Sequence, residues 1–210
     1  MRAIVQRVTQ ASVSVDGEVI SSIGKGLCVL LGISKYDTPK EIEYMVRKIL
    51  NLRVFDENEQ RWKKSVVDKN FEVLCVSQFT LQAVLKGNKP DYHLAMGGEQ
   101  SKAFYGDFLQ AMKSAYKPDA VKDGKFGAYM QVHIQNDGPV TISIETPPPQ
   151  QVQQKQVKGT SGSTKAATMT VDEGAANSFP NAENHSSLID AEQQIQEFDD
   201  LNVDEKQGRT

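Results

Sequence analysis

The sequence predicts an α+β domain in three layers, with helices on one face of a sheet and a second sheet on the other, followed by a long polar tail. Three observations carry this expectation. Most apolar segments have the alternation or the unbroken run of a strand, and only two have helical spacing. Several of the strands are apolar on both faces, so each side of the sheet needs cover. No internal repeat is visible.

The elements follow in order. Residues 1–9 form a strand in which Ala3, Val5 and Arg7 alternate with Ile4, Gln6 and Val8. Residues 13–15 and 19–23 form a hairpin around Asp16-Gly17, a pair that readily supplies the positive φ angles of a type I′ turn. Residues 26–33 are almost wholly apolar and read as a strand buried on both faces. Thr38-Pro39-Lys40-Glu41 offers an N-cap hydroxyl, a proline at the first helical position and a glutamate three residues after the cap. Ile42, Met45, Val46, Ile49 and Leu50 then make one apolar stripe. Residues 53–55 and 71–76 are further strands, with the charged stretch 56–64 an exposed excursion between them. Ala103, Phe104, Phe108, Ala111, Met112 and Ala115 mark a second amphipathic helix. Residues 127–135 and 140–145 close the domain as a hairpin around Asn136-Asp137-Gly138-Pro139.

Apolar residues are 39% of the 210, and the shortfall is local. From Thr146 onward the chain is mostly Pro, Gln, Ser, Thr, Asn, Asp and Glu, with Phe179 and Phe198 its only aromatics. Such a composition cannot bury enough surface to offset chain entropy. The boundaries expected are a folded domain at residues 1–146 and a disordered acidic tail at residues 147–210. Residues 1–145 carry 19 Lys and Arg against 17 Asp and Glu, and the remainder 5 against 10. A nearly neutral domain with an acidic tail argues against broad nucleic-acid binding but leaves room for a focused patch that docks one end of an RNA.

Several chemistries lack their signs. Cys28 and Cys75 sit within apolar strands, without CxxC spacing, so neither a catalytic thiol, a disulfide framework nor a zinc site is expected, and a reduced compartment fits. His93, His133 and His185 fall in a loop, mid-strand and in the tail, with no HExxH and no carboxylate partner close in sequence. There is no GxSxG elbow, P-loop or GxGxxG, no span long enough for a membrane and no signal peptide. The expectation is a soluble cytoplasmic protein with no cofactor and no metal.

What remains is backbone chemistry. Ser77-Gln78-Phe79-Thr80-Leu81 follows a buried strand and offers an amide side chain and main-chain N–H groups at a strand end. These are the parts of an oxyanion hole, or simply of a capped strand end. Gly138-Pro139 is either a plain turn with a trans peptide or a device for aiming carbonyls.

Those strings, with Lys86-Gly87-Asn88-Lys89-Pro90, Phe126-Gly127-Ala128-Tyr129-Met130 and the opening Met1-Arg2-Ala3-Ile4-Val5-Gln6-Arg7-Val8, resemble the D-aminoacyl-tRNA deacylase family, also called D-tyrosyl-tRNA deacylase. The resemblance spans residues 1–146 and excludes the tail. It implies a three-layer fold and a homodimer with active sites at the interface. It further implies a cis Gly138-Pro139 that reaches into the partner's site, where paired carbonyl oxygens exclude L side chains and admit D residues or glycine. Within this reading Ser77, Gln78 and Phe79 hold the aminoacyl carbonyl and ribose, with the Phe79 amide a candidate oxyanion donor. Thr80 is a supporting hydrogen bond or, less simply, a nucleophile, and the 2′-OH of the terminal adenosine helps activate water. Phe126 and Met130, four apart on a strand, line the adenosine pocket or pack in the core. Arg7 braces the Gly-Pro segment across the dimer or lies at the surface; Lys86 and Lys89 meet phosphates of the tRNA 3′ end or solvent. The Ser-Gln-Phe-Thr string points to the D-specific branch.

The function implied is hydrolysis of D-aminoacyl-tRNA and of mischarged glycyl-tRNA. Two rivals stand beside it: a catalytically silent dimeric scaffold that recruits a protein partner through its acidic tail, and a hydrolase with a hydroxyl nucleophile at Thr80.

Overall fold

The computed structural model describes residues 1–147, so the tail expectation for the residues beyond lies outside the described residues. Strand β1 (Arg2–Val15) turns through Asp16 and Gly17 into β2 (Glu18–Ile23), and β3 (Gly26–Gly32) follows. Helix α1 (Pro39–Leu50) begins where Thr38 donates its N–H and hydroxyl to the Glu41 carboxylate at 2.7 and 2.6 Å, a reciprocal cap that contributes about 1 kcal/mol. Next come β4 (Phe55–Glu57), β5 (Gln60–Lys64), the short α2 (Val66–Lys69) and β6 (Glu72–Ser77). A 3₁₀ turn (Phe79–Gln82) leads to β7 (Val84–Lys86) and β8 (Lys89–Asp91). Helix α3 (Gly98–Ala115), a second 3₁₀ turn (Pro118–Ala120), β9 (Val121–Asp123) and β10 (Gln131–Glu145) complete the order.

One sheet runs β10-β1-β3-β6-β9, with β2 also paired to β1. Strands β3, β6 and β9 are parallel, so their C-terminal ends share one edge of the sheet, the side where open α/β sheets receive ligands. Alternation divides the core. Leu27, Val29, Leu31, Val73 and Cys75 face the helices with Met45, Ile49, Phe108 and Met112, whereas Cys28, Leu74 and Val76 face Val8, Ala11, Val13 and Ile23. The second face is therefore covered by the far halves of β1 and β10 together with β2. Three layers result, and the expected second sheet is the continuation of the same long strands rather than a separate sheet. Each fully buried Leu, Ile or Met contributes about 1.5–3 kcal/mol.

Three expectations are corrected here. The two segments read at residues 1–9 and 13–15 are one strand, because both halves pair with β10. The charged excursion at 56–64 is the β4–β5 hairpin, whose polar faces hid its strand character, and the strand read from residue 53 begins only at Phe55. Residues 127–145 are not a hairpin: β10 starts at Gln131 and runs straight through Asn136-Asp137-Gly138-Pro139, since both its arms pair antiparallel with the same partner.

Candidate active site

The parallel strands bring the first candidate group to the sheet edge. Ser77 ends β6 opposite Leu31, and the Gln78 N–H donates to the Leu31 carbonyl at 2.7 Å. The chain then tightens into the 3₁₀ turn, with the Leu81 N–H donating to the Gln78 carbonyl at 3.2 Å and the Ala83 N–H to the Thr80 carbonyl at 3.1 Å. Two side chains outside the motif pin this turn. Buried Gln82 donates Nε2 to the Gly32 carbonyl at 2.9 Å, and Arg2 donates Nη1 to the Leu81 carbonyl at 2.6 Å. Gly32 lets the turn approach: a Cβ there would lie 2.8 Å from Leu81 Cβ and 2.9 Å from the Gln78 carbonyl oxygen.

Within the turn Gln78 Nε2 donates to Thr80 Oγ1 at 2.5 Å. The Thr80 hydroxyl thus accepts a bond and keeps its own proton to donate. Among the described residues no imidazole or carboxylate bonds to it, so the arrangement lacks the base that an activated hydroxyl nucleophile needs.

The second group is a bulge in β10. Arg7 pairs with Val140 and Val8 with Asn136, which leaves residues 137–139 without ladder partners. The Gly138-Pro139 peptide is cis, and both residues are exposed on the single chain while Val140 anchors beneath them. Arg7, its side chain 11% exposed, holds the bulge from below. Its Nε donates to the Asp137 carbonyl at 3.1 Å and faces the Asp137 carboxylate at 3.3 Å, and its Nη1 donates to the Val54 carbonyl at 2.6 Å. Gly138 has φ +117°, and a Cβ there would meet Arg7 Nη2 at 2.8 Å. Within the single chain Arg7 thus braces the bulge through the Asp137 carbonyl and ties it to Val54, the planar guanidinium reaching two main-chain oxygens at once.

The remaining candidates divide. Phe126 and Met130 lie in the segment between β9 and β10, not on a strand, so their spacing does not put them on one face. Phe126 packs on the helix side of the sheet, with its ring 5.6 Å from that of Tyr105, while Met130 packs on the opposite side with Val13 and Leu74. Only Phe126 is on the side of the main core, and it follows the C-terminal end of β9 as Ser77 ends β6. Lys86 and Lys89 face each other across the β7–β8 hairpin. Lys86 forms an ion pair with Asp91, whereas Lys89 makes none among the described residues.

His93, read from sequence as lacking a carboxylate, has one two residues away. Its Nδ1 and N–H contact Asp91 Oδ1 at 2.5 and 2.9 Å. Lys86 and His93 together hold the Asp91 carboxyl well below the ordinary carboxylate range. An i, i+2 pair is a turn signature and was visible in the sequence. Burial pushes the Cys28 thiol up to about 12 and Cys75 higher still, so both stay protonated and unreactive. Among the described residues no three His, Cys, Asp or Glu side chains converge to hold a metal, and no helix is long and apolar enough to cross a membrane.

Residues 4–145 match the family described as D-Tyr-tRNA(Tyr) deacylase. The chain is similar to D-aminoacyl-tRNA deacylase 1 of Bos taurus, at 71% identity over 150 residues covering 71% of this chain and 72% of that protein. Its similarity to D-aminoacyl-tRNA deacylase 1 of Homo sapiens is 69% over the same length and coverage. A solved structure titled "c-Myc DNA Unwinding Element Binding Protein" is 67% identical, with a TM-score of 0.69 over 70% of this chain and 100% of that one.

Proposed function

This chain belongs to the D-Tyr-tRNA(Tyr) deacylase family, and from that premise we propose how its two candidate groups divide the hydrolysis of D-aminoacyl-tRNA between them. It is a D-aminoacyl-tRNA deacylase, a hydrolase. The strand end at residues 77–80 binds the aminoacyl ester. Main-chain N–H groups there, the Phe79 amide foremost, stabilise the oxyanion that forms as water adds to the carbonyl carbon. The ester C–O bond then breaks, the tRNA 3′ oxygen leaves with a proton, and the neighbouring 2′-OH assists. Gln78 and Thr80 hold the turn in shape through their mutual hydrogen bond rather than by covalent catalysis.

The bulge at residues 137–139 supplies chirality. In a homodimer it enters the partner's site, where carbonyl oxygens stand against one substituent position of the α-carbon. An L side chain meets them and a D side chain points away, so many D residues, and glycine, are accepted by exclusion rather than by fit. The observation that carries this reading is the bulge itself: three residues raised out of the ladder, with Gly138 and Pro139 exposed on the single chain and half-buried Asp137 clamped by Arg7. Its bonds run to Arg7, while those of Gln78 run to Leu31, Thr80 and Leu81, so the two groups share no direct bond within one chain, an arrangement that suits two subunits. The near neutrality of residues 1–145 supports recognition of one RNA end over extended nucleic-acid binding.

The test is purified protein with D-tyrosyl-, L-tyrosyl- and glycyl-tRNA. Rapid release from the first and third with the second untouched is the expected result. Equal rates on the D and L esters would remove the gate, and a monomer in sedimentation with full D selectivity would remove its cross-subunit form.

A further inference from the structure

The segment that follows the β7–β8 hairpin and the turn after β3 meet beside the strand end, and their chemistry is not used by the ester-binding groups. Ser34 bridges to Ala95, the Lys35 N–H donates to the Leu94 carbonyl at 3.0 Å, and the Met96 N–H donates to the Ile33 carbonyl at 3.1 Å. These bonds set Lys35, at the tip of the 34–37 turn and one residue before Tyr36, against Leu94, the residue after His93. The same segment reaches the catalytic turn, because the Tyr92 ring meets Phe79 edge-on at 5.1 Å.

Tyr36 is 61% exposed, and Lys35 Nζ lies 5.3 Å from its ring centroid, over one face. His93 is oriented: Asp91 occupies Nδ1, so Nε2 is the nitrogen left to meet a ligand, and the side chain is 38% exposed. The carboxylates of the neighbourhood are held internally, Glu41, which acts on Asp37 from the start of α1, by the Thr38 N–H and hydroxyl. Asp91 is taken by Lys86 and His93, and Asp37 by the Met1 ammonium and the Ser34 N–H. Lys35 and Lys89 make no ion pair among the described residues, so the patch is left with uncommitted positive charge beside an exposed aromatic ring. Trp62, an exposed aromatic of the β4–β5 hairpin, has Asp56, Glu57 and Glu59 on one side in sequence and Arg61, Lys63 and Lys64 around it, so its charges balance in number.

We propose that Tyr36, His93, Lys35 and Lys89 form a docking site for the unpaired nucleotides that precede the terminal adenosine of the tRNA. A base stacks on the Tyr36 ring, His93 Nε2 meets the backbone or base edge, and the two lysines neutralise phosphates. Lys86 serves by holding Asp91, and through it His93, rather than by meeting a phosphate. This rests on the deacylase reading, and it deepens that reading by naming the surface that separates a tRNA from a bare aminoacyl nucleoside.

The experiment compares wild type, Tyr36→Ala, His93→Ala and Lys35→Gln/Lys89→Gln on two substrates, D-tyrosyl-tRNA and 3′-O-(D-tyrosyl)adenosine, and measures the Kd of uncharged tRNA. Loss of one stacked base or two phosphate contacts is expected to raise both KM for D-tyrosyl-tRNA and Kd for uncharged tRNA about tenfold, with kcat nearly constant. Parameters for the adenosine ester stay within twofold. The lysine pair also flattens the dependence of log Kd on log salt by about one to two. Unchanged Kd in all three variants overturns the proposal, as does an equal loss on both substrates, which would mark a structural role. A wild type inert on D-tyrosyl-tRNA would refute the deacylase reading instead, and the Kd series with uncharged tRNA would still decide this one.

Discussion

The strand end at residues 77–82 and the bulge at residues 137–139 solve the same problem, holding backbone still, by opposite means. The strand end is fixed by its surroundings: a buried parallel strand delivers it, Gly32 lets it press against the neighbouring strand, and buried Gln82 and Arg2 tie it to carbonyls. The bulge stands on an edge strand with its Gly138 and Pro139 exposed, and its hold is one guanidinium that grips Asp137 and Val54. Packing secures the first and a single charge secures the second. The first should therefore fail by distortion, with loss of rate, and the second by loosening, with loss of selectivity.

The largest effect is expected at Gly32. Gly32→Ala must displace the backbone of Gln78, because the added carbon would sit 2.9 Å from its carbonyl oxygen. Overpacking of this kind costs about 1–3 kcal/mol, and movement of a positioning group by about 1 Å costs about a hundredfold in rate. Steady-state assays with D-tyrosyl-tRNA should show that drop in kcat with D over L selectivity retained; lost selectivity at normal rate would reverse the comparison.

Arg7→Ala should do the converse. It leaves the carbonyls of Asp137 and Val54 without their donor, at about 1–3 kcal/mol in thermal or urea unfolding. Hydrolysis of L-tyrosyl-tRNA should rise about tenfold or more relative to the D ester, since each 1.4 kcal/mol of lost exclusion is tenfold. A variant equally strict would show that the bulge needs no clamp.

Thr80→Ala sharpens the picture within the strand end. Removing the acceptor of the Gln78 bond is expected to cost about 0.5–1.5 kcal/mol, a slowing of about two- to tenfold. Complete inactivation would make Thr80 a nucleophile and the turn more than a holder of backbone.

The smallest effect concerns the flank of the site. Lys86 and His93 keep Asp91 ionised below its ordinary range, so its contribution to stability is present above an unfolded pKa of about 4 and drains away as the pH falls below that. Melting temperatures taken at about pH 6 and about pH 3 should fall farther for wild type than for Asp91→Asn. Parallel falls would mean that the pair is only a surface contact.

How much of this was legible depends on what kind of signal each part leaves. Helix α1 announced itself through Thr38, Pro39, Glu41 and its stripe, and β3 and β6 through unbroken apolar runs, because local caps and burial write directly into sequence. The bulge in β10 did not. Asn136-Asp137-Gly138-Pro139 has the composition of a turn, and only the pairing of both arms with β1, a contact across more than a hundred residues, makes it part of one strand. The resemblance names Arg7 as a brace for the Gly-Pro segment, yet the carbonyls it serves in this chain lie far away in sequence. The supports of the strand end, Arg2, Gln82 and Gly32, carry no motif at all. The placement of Phe126 and Met130 failed because a spacing of four has meaning only on a regular element, and residues 124–130 are not one.

Strand β1 links the two anchorages in a way that bears on tolerance to change. From Arg2 to Val8 it pairs with β3 without a break, and its two arginines stand five positions apart, about 17 Å along the chain and on opposite faces. One arginine reaches the 3₁₀ turn and the other the cis-proline loop, so β1 works as a ruler whose graduations set both at once. An inserted or deleted residue between positions 2 and 7 would turn one guanidinium away from its target while leaving every side chain of both groups intact, and length in this stretch is therefore more constrained than the identity of the residues that fill it.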